Sequence, residues 1–100
     1  MDSASPIKIN TKYFAAIREI IGKTEDFFIL SGNINAKNLL DAMCSRYGKP
    51  FSEFVMDTSG SLKENLIILV NGKSIDKPDL SLITLTDGDL VVILPPIGGG

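Results

Sequence analysis

The stretch AKNLLDAMCSRYG, residues 36–48, decides the fold of this chain. Its apolar residues recur at i, i+3, i+4, i+7, i+8 and i+11, a period that predicts an amphipathic helix with one buried face. The residues on that face are Ala36, Leu39, Leu40, Met43, Cys44 and Tyr47. Asn35 is suited to cap the first turn, and Gly48 followed by Pro50 predicts the end of the helix.

The sequence before this helix predicts two strands and one or two helical turns. In residues 7–13 less polar side chains alternate with polar ones, which is the period of a half-buried strand. The period becomes helical over residues 14–21, and Gly22 follows as a stop. Residues 27–30 are rich in β-branched and aromatic side chains and precede a Ser-Gly-Asn turn. We expect the two strands to pair as a splayed hairpin.

The sequence after the helix contains two uninterrupted aliphatic runs, residues 66–70 and 90–94. Such runs predict strands that are buried on both faces and lie centrally in a sheet. A turn at Asn71-Gly72 follows the first run, and a turn at Asp87-Gly88-Asp89 precedes the second. The last strand would therefore deliver the end of the chain from the rigid core.

Three other segments have weaker patterns. Residues 51–56 form a short apolar segment, and residues 57–65 read as a polar loop. Residues 80–85 fit either a hairpin arm or irregular chain.

The order β, β, α, β, β with one long helix predicts an α+β fold of the β-grasp, ubiquitin-like type. We expect a mixed sheet of four to five strands with one main helix packed on one face. Residues 1–6 are predicted to be a mobile lead-in, residues 7–94 the β-grasp domain, and residues 95–100 an extended tail.

Composition excludes several classes of partner. One hundred residues, 44% of them hydrophobic, suffice for a single core. The net charge is −2 and no basic patch occurs, which argues against nucleic acid and leaves room for a basic protein partner. No apolar run approaches the ~20 residues of a membrane span, and the N-terminus lacks signal-peptide character. With a single cysteine, Cys44, the chain is expected to be cytoplasmic.

The usual catalytic and metal-binding groups are missing from the sequence. There is no histidine, and the isolated glycines form no phosphate-binding loop. Cys44 is expected to be an unreactive core residue on the helix. Asp87 and Asp89 flank a glycine and are far more typical of a tight turn than of a metal site. We therefore expect no metal and no cofactor bound by this chain.

The chain ends in PPIGGG, residues 95–100. Pro95 and Pro96 lack amide hydrogens and fix φ, so they would end the strand and direct the chain outward in a stiff form. The three glycines after Ile97 carry no β-carbon and therefore fit a narrow channel. Fully extended, these six residues reach at most ~20 Å, at ~3.3 to 3.6 Å each. Such a tail is long enough to enter the active site of a neighbouring protein.

The terminal carboxylate of Gly100 is ionised at neutral pH and is a poor acyl donor. A nucleotide-using partner would convert it to an acyl-adenylate, after which sulfide yields a thiocarboxylate or an amine yields an amide. Terminal glycines alone are as typical of a flexible end or a cloning remnant as they are of a functional tail. The prolines and the buried strand before them favour a functional tail.

Four stretches carry a resemblance to a known family. They are YFAAIREIIGK (13–23), LLDAMCSRYG (39–48), ILVNGKSI (68–75) and DGDLVVILPPIGGG (87–100). Together they resemble the MoaD family, the small subunits of molybdopterin synthase, over residues 7–100. The most specific part is a short helix with Phe-Ala-x-x-Arg-Glu combined with Asp-Gly-Asp, a hydrophobic strand, Pro-Pro and a terminal Gly-Gly.

The resemblance implies a sulfur carrier of the MoaD and ThiS superfamily. Its members are adenylated on the terminal glycine by a MoeB-like activating enzyme of the ubiquitin-activating type, which uses ATP, and are converted to a thiocarboxylate. They dock against a MoaE-like large subunit of molybdopterin synthase and donate sulfur to a pterin precursor. The product is the dithiolene that holds molybdenum or tungsten. Such a chain is a non-catalytic subunit and is expected to have no activity alone.

The resemblance also assigns roles to the residues of the tail. Gly100 would be the acyl and sulfur carrier, and Gly99 its slim neighbour. Gly98 would continue the tail, and Pro95 and Pro96 would form its rigid exit.

Three further residues are expected to contact partners by the same resemblance. They are Leu94 beside the tail, Ile97 within it, and Arg18 in the Arg-Glu pair of the short helix. For Arg18 and Glu19 a solvated helix face with an internal ion pair is an equally good interpretation.

Two alternatives to the sulfur carrier stay open at this point. Archaeal proteins with the same ending resemble this chain and attach to lysines as ubiquitin-like protein modifiers. The second alternative is a plain interaction module whose exposed sheet edge binds a partner.

Overall fold

The computed structural model describes residues 5–75 and 79–95, which form a five-stranded mixed sheet with helices on one side. The strands are β1 (Ile7–Lys12), β2 (Glu25–Leu30), β3 (Ile67–Val70), β4 (Lys73–Ser74) and β5 (Leu90–Leu94). The helices are α1 (Ala15–Ile21), α2 (Ala36–Tyr47) and α3 (Lys49–Val55), with a 3-10 turn at Leu80–Leu82. The predicted α+β class and mixed sheet are confirmed.

The strands lie in the order β2-β1-β5-β3-β4. β1 pairs with β2 antiparallel, as expected for the first hairpin, and with β5 in parallel. β3 pairs antiparallel with both β5 and β4. The last strand therefore occupies the middle of the sheet, as its aliphatic sequence predicts.

The hydrophobic core lies between the sheet and the helices. The sheet contributes alternate residues from its strands, which all point to one face: Ile9, Phe28, Ile68, Val91 and Ile93. The helices contribute Ile17, Leu39, Leu40, Met43, Phe51 and Val55, all buried. This periodic burial explains why α2 shows the 3.6-residue pattern and β1 the two-residue pattern.

The predicted limits of α2 are confirmed by its caps. The Asn35 side chain accepts from the backbone N–H of Asn38 at 2.8 Å, and the Asn38 side chain accepts in return from Asn35 N–H at 2.9 Å. Gly48, at φ 84°, ends the helix. The apolar segment that follows is helix α3, which the sequence did not predict. Pro50 lies in its first turn, where an amide hydrogen has no helical partner and proline is tolerated.

The expectation that β3 is buried on both faces is wrong. Ile68 is buried against the helices, but Ile67 and Leu69 on the other face are only half-buried. The helices cover one face of the sheet only. In β5 the same expectation is right only in the middle of the strand: Val92 is buried on that other face, whereas Leu90 and Leu94 are half-buried.

The ambiguous and polar segments are more ordered than the sequence indicates. Residues 80–85 are neither a hairpin arm nor wholly irregular, since a 3-10 turn is followed by a single bridge between Thr84 and Asn35. The loop 57–65 includes a bridge between Met56 and Leu62, which buries Leu62 in the core.

Both predicted turns around β5 are confirmed, and side chains join them. Asn71 and Gly72 both have positive φ, 53° and 84°, as a two-residue hairpin turn requires. Asn71 donates from Nδ2 to Asp89 Oδ1 at 2.9 Å and accepts from Leu90 N–H at 2.9 Å. Asp87 accepts from Lys8 N–H at 2.7 Å. These bonds fix the start of β5.

Of the helices in the described ranges, none has the length and hydropathy that crossing a membrane requires.

Candidate functional site

The last described residues, Leu94 and Pro95, mark the point where the tail leaves the sheet. Leu94 is half-buried, ends β5 and pairs with Ile67 of β3. Pro95 is half-buried too. The other predicted tail residues, Pro96, Ile97, Gly98, Gly99 and Gly100, lie outside the described residues, so their roles stay predictions. The described part of β5 provides the rigid, paired base that those roles need.

The sheet face opposite the helices carries an apolar surface that leads to this exit. We call it the open face. Strand alternation and the pairing register place on it Lys8, Asn10, Lys12, Phe27, Ile29, Ile67, Leu69, Leu90, Val92 and Leu94. Phe27 and Ile29 are 48% and 56% exposed. Large apolar side chains grouped on one exposed face are typical of an interaction surface.

Phe14 is a candidate contact residue that the sequence reasoning missed. It is 43% exposed, although it follows the buried Tyr13. Lys12, the last residue of β1, is level with Val92 in the parallel pair, so Phe14 follows the end of β1 that lies toward Leu94. The next residue, Ala15, has φ 52°, a conformation that costs a residue with a β-carbon about 1 kcal/mol or more. The Phe-Ala of the quoted motif was the available clue.

Arg18 lies on α1 and is exposed, as is Glu19. Its backbone carbonyl accepts from Gly22 N–H at 2.7 Å and so ends the helix. Within residues 5–75 and 79–95 no ion pair involves Arg18, so the internal Arg-Glu pair is not formed there. Its exposed position permits contact with a partner.

A partly buried hydrogen-bond network holds the sheet to the C-terminal end of α2. Tyr47 Oη donates to Asp26 Oδ2 at 2.7 Å and also bonds Tyr13 Oη, which accepts from Thr11 Oγ1 at 2.7 Å. Arg46 Nη1 lies 3.3 Å from the same Asp26 oxygen. Tyr13 and Tyr47 rings also meet edge to face at 5.7 Å. The network is therefore both polar and aromatic.

The pKa of Asp26 reports the balance of forces in this network. Burial alone would raise that pKa, but hydrogen bonds from Tyr47, from Phe27 N–H and from Lys23 outweigh it and lower the pKa from 3.8 to about 2. Burial, and then the bonds to Tyr13 and Asp26, raise the pKa of the Tyr47 phenol well above its usual range. Asp26 is thus a carboxylate and Tyr47 a neutral donor at neutral pH.

The remaining sequence candidates for chemistry have structural roles. Cys44 is half-buried rather than fully buried, and burial followed by the nearby Asp41 charge raises the pKa of its thiol. This agrees with the predicted unreactive residue. Asp89 accepts from Thr86 N–H at 2.8 Å as a turn residue. Among the described residues no group of three or more potential metal ligands occurs.

The outer edge of β2 is occupied at its middle by side chains of the same chain. Phe27 N–H donates to Asp26 Oδ1 at 2.8 Å, and Phe27 carbonyl accepts from Arg46 Nη1 at 2.7 Å. Arg46 also lies over the Phe28 ring, 3.8 Å from its centroid. A strand added here would have to displace both bonds. Binding at the β2 edge is therefore disfavoured relative to binding on the open face.

The mixed sheet, with its last strand in the middle and the helices on one face, defines a protein of the β-grasp class. The sequence matches the ThiS family over residues 11–100, and the chain belongs to that family.

Named relatives agree with this assignment and divide between two roles. The chain is 28% identical to the molybdopterin synthase sulfur carrier subunit of Anopheles gambiae, with 100% of both chains covered. It is 24% identical to small archaeal modifier protein 3 of Haloferax volcanii, over 94% of this chain and 100% of that one.

A solved structure supports the fold. The crystal structure of SAMP1 from Haloferax volcanii superposes with a TM-score of 0.80 at 24% identity, covering 93% of this chain and 99% of that one. The β-grasp prediction is thereby confirmed. In class, the chain is a ThiS- and MoaD-like, ubiquitin-like sulfur carrier.

Proposed function

We propose that this chain is the sulfur carrier subunit of a molybdopterin synthase. Its terminal Gly100 would be adenylated, converted to a thiocarboxylate and used to donate sulfur to a pterin precursor for the molybdenum or tungsten cofactor. The observation that carries the proposal is the position of β5. It lies in the middle of the sheet, and Leu94 and Pro95 lead from it directly into the glycine-ended tail.

The chemistry would be supplied by partners, and the chain supplies the acyl group. The Gly100 carboxylate attacks the α-phosphate of ATP, releasing pyrophosphate and leaving an acyl-adenylate. Sulfide from a donor then displaces AMP, so that one carboxylate oxygen is replaced by sulfur. An unbranched terminal glycine leaves the acyl carbon open to both attacks. We expect a MoeB-like activating enzyme for these steps and a MoaE-like large subunit for delivery.

The open face supports docking of such partners. Leu94 and Ile67 are paired there, and the exposed Phe14 follows the end of β1 that lies toward Leu94. A partner that takes the tail into its active site must lie against this end. Apolar side chains already exposed there provide the buried contacts that such an interface needs.

The first experiment tests the chemistry at Gly100. The purified chain, incubated with its activating enzyme, ATP and a sulfur source, should show a sulfur-for-oxygen mass gain that maps to the C-terminal peptide. Gly100→Ala should fold normally but be activated poorly. No mass gain in the unaltered chain would overturn the proposal.

The second experiment tests the docking end of the face with a matched pair of variants. Leu94→Asp places a charge at the exit, whereas Leu82→Asp makes the same change at a 78% exposed position on the 3-10 turn beside α2. We expect Leu94→Asp to reduce the activation rate at least tenfold, with little change for Leu82→Asp. Circular dichroism melts would identify any loss due to unfolding. Equal effects of the two variants would contradict docking at the exit.

Similarity to small archaeal modifier protein 3 favours a second candidate function, attachment to lysines through the same terminal glycine. The acyl-adenylate would then react with an amine and form an amide. Deletion of the gene separates the two roles: loss of molybdopterin alone supports the carrier, and loss of conjugates with branched Gly-Gly lysines supports the modifier. Loss of neither would favour a plain interaction module.

A further inference from the structure

The two edges of the sheet differ in length. One edge is β4, which has two residues, Lys73–Ser74, and the other is β2, which has six, Glu25–Leu30. A very short edge strand that carries an exposed lysine offers little to an added strand. β2 is longer, and Phe27 and Ile29 on it are large exposed apolar residues. Of the two edges, β2 is therefore the one at which a further strand would add.

The backbone groups that point outward from β2 follow from the bonds of Phe27. Its N–H and its carbonyl both bond side chains instead of β1, so both point away from β1. In an antiparallel pair, residues bonded to the neighbouring strand alternate with residues that point outward. Glu25 and Ile29, two residues to either side, therefore direct their N–H and carbonyl groups outward as well. Phe27 is the middle one of these three residues.

The strand that best fits this edge is β2 of a second copy of the chain. When two β2 strands pair antiparallel about a two-fold axis at Phe27, Phe27 faces Phe27 of the second copy and Glu25 faces Ile29 of the second copy. All three outward-pointing residues then have partners, and the two Phe27 residues exchange both of their backbone hydrogen bonds. The two rings would also lie opposite each other on the open face, where aromatic pairs stabilise a sheet. A contact with two-fold symmetry is the commonest kind in assemblies of identical chains.

Two side chains occupy the backbone groups on which this pairing depends. Asp26 Oδ1 accepts from the Phe27 N–H at 2.8 Å, and Arg46 Nη1 donates to the Phe27 carbonyl at 2.7 Å. Arg46 is itself held in place, because Nη1 lies 3.3 Å from Asp26 Oδ2 and the guanidinium lies 3.8 Å from the centroid of the Phe28 ring. Both hydrogen bonds at the two-fold axis are therefore blocked in the single chain.

We propose that Asp26 and Arg46 form an edge guard, which prevents β2 from pairing with β2 of a second copy. Pairing would break both guard bonds in each copy and form only two bonds between the Phe27 residues, a net loss at the centre of the strand. The guard therefore keeps the chain monomeric although β2 exposes apolar side chains. The inference goes beyond the proposed function and does not depend on it, because it concerns only how the chain meets its own copies.

The test removes the guard arginine and compares it with a matched lysine on the same helix. The side chains of Arg46 and Lys37 both lie on α2, are both 43% exposed, and each pairs with an aspartate. Arg46→Met keeps an unbranched chain to pack on the Phe28 ring but has no donor for the Phe27 carbonyl. Lys37→Met makes the same exchange of a cation for an apolar chain in the first turn of the helix.

Sedimentation velocity at increasing protein concentration measures the association. The unaltered chain and Lys37→Met should stay monomeric, and Arg46→Met should form dimers, with association at least about tenfold tighter than that of Lys37→Met. Concentration-dependent ¹H–¹⁵N shifts should centre on Glu25, Phe27 and Ile29. A folded Arg46→Met that stays monomeric, even with lower stability, would show that Arg46 only ties α2 to the sheet and would overturn the proposal.

A second change tests whether the dimer forms through β2. Ile29→Pro removes an outward-pointing N–H, a loss that an edge strand tolerates. Arg46→Met/Ile29→Pro should therefore return to the monomer. Dimers that survive this change, or equal association of Arg46→Met and Lys37→Met, would each contradict pairing at the guarded edge.

The other half of the guard gives an independent test, which decides the proposal if circular dichroism melts show that Arg46→Met does not fold. Asp26→Ala frees the Phe27 N–H and removes the carboxylate that holds Arg46. Asp41→Ala, which removes the exposed partner of Lys37, is the matched control. Dimers are expected with Asp26→Ala only. Monomers in both folded variants would overturn the proposal.

Discussion

The network of Asp26, Tyr47 and Tyr13 predicts a specific loss of stability in acid. The pKa of Asp26 is lowered from 3.8 to about 2 in the folded protein. A group with a depressed folded pKa stabilises the fold above its unfolded pKa, and this contribution disappears as the pH falls through the folded pKa. The contribution of Asp26 is therefore complete above about pH 5 and mostly lost by pH 2.

The magnitude follows from the size of the pKa difference. At about 1.4 kcal/mol per pKa unit, the shift corresponds to an upper limit of about 2.5 kcal/mol. The Asp26 side chain retains 11% exposure and its Lys23 and Arg46 partners are near water, so we expect about 1 to 2 kcal/mol. Tyr47→Phe removes the strongest bond that lowers this pKa and should remove much of the pH dependence.

The assay is urea unfolding followed by far-UV circular dichroism at several pH values from 6 to 2. The gap in unfolding free energy between the unaltered chain and Tyr47→Phe should be about 2 kcal/mol at pH 6 and should narrow by about 1 kcal/mol at pH 2. Other carboxylates titrate equally in both proteins, so the narrowing reports Asp26. Asp41→Asn, which removes an exposed pair with Lys37, should cost at most about 0.5 kcal/mol. A gap that stays constant or widens in acid would refute the reasoning.

Two further predictions concern the scaffold and use urea unfolding at pH 7. Ala15→Gly should stabilise the chain by about 0.5 to 1 kcal/mol, because glycine accepts φ 52° without strain; an unchanged or lower stability would show that no strain is stored there. Phe51→Ala should cost about 3 to 5 kcal/mol because the ring is fully buried beneath Tyr47, whereas the half-buried Phe54→Ala should cost clearly less; equal losses would mean that α3 does not complete the core.

The elements with a strong period or an unambiguous turn were predictable from the sequence. α2 begins and ends where its apolar spacing and its caps indicate, and the turn at Asn71-Gly72 has the positive φ values that its residues favour. β5 lies in the middle of the sheet, which is the position that its uninterrupted aliphatic sequence predicts. In these cases local preference and tertiary packing agree.

Tertiary contacts decided the features that the sequence did not predict. α3 was missed because Pro50 resembles a helix stop, although it is harmless in a first turn. Ile67 and Leu69 looked like core residues because hydrophobicity does not reveal which face the helices leave open. The composition of the open face could not be predicted without the pairing register, because Phe27 and Leu90 are distant in sequence and are neighbours only through Asn10, with which both pair. Pairing between strands cannot be read from one strand alone.

The position of β5 links stability, docking and delivery in one element. β1 and β3 hold it on either side, and the bonds from Asn71 to Leu90 and Asp89 hold its start. Leu94 therefore meets any partner at a fixed place, and the five residues beyond Pro95 span at most ~18 Å of chain. Under the proposed function, the active site of a partner must therefore lie within that distance of Pro95 to reach Gly100. By the same proposal, an activating enzyme and a sulfur acceptor would both bind at this end of the sheet, and the chain would serve only one of them at a time.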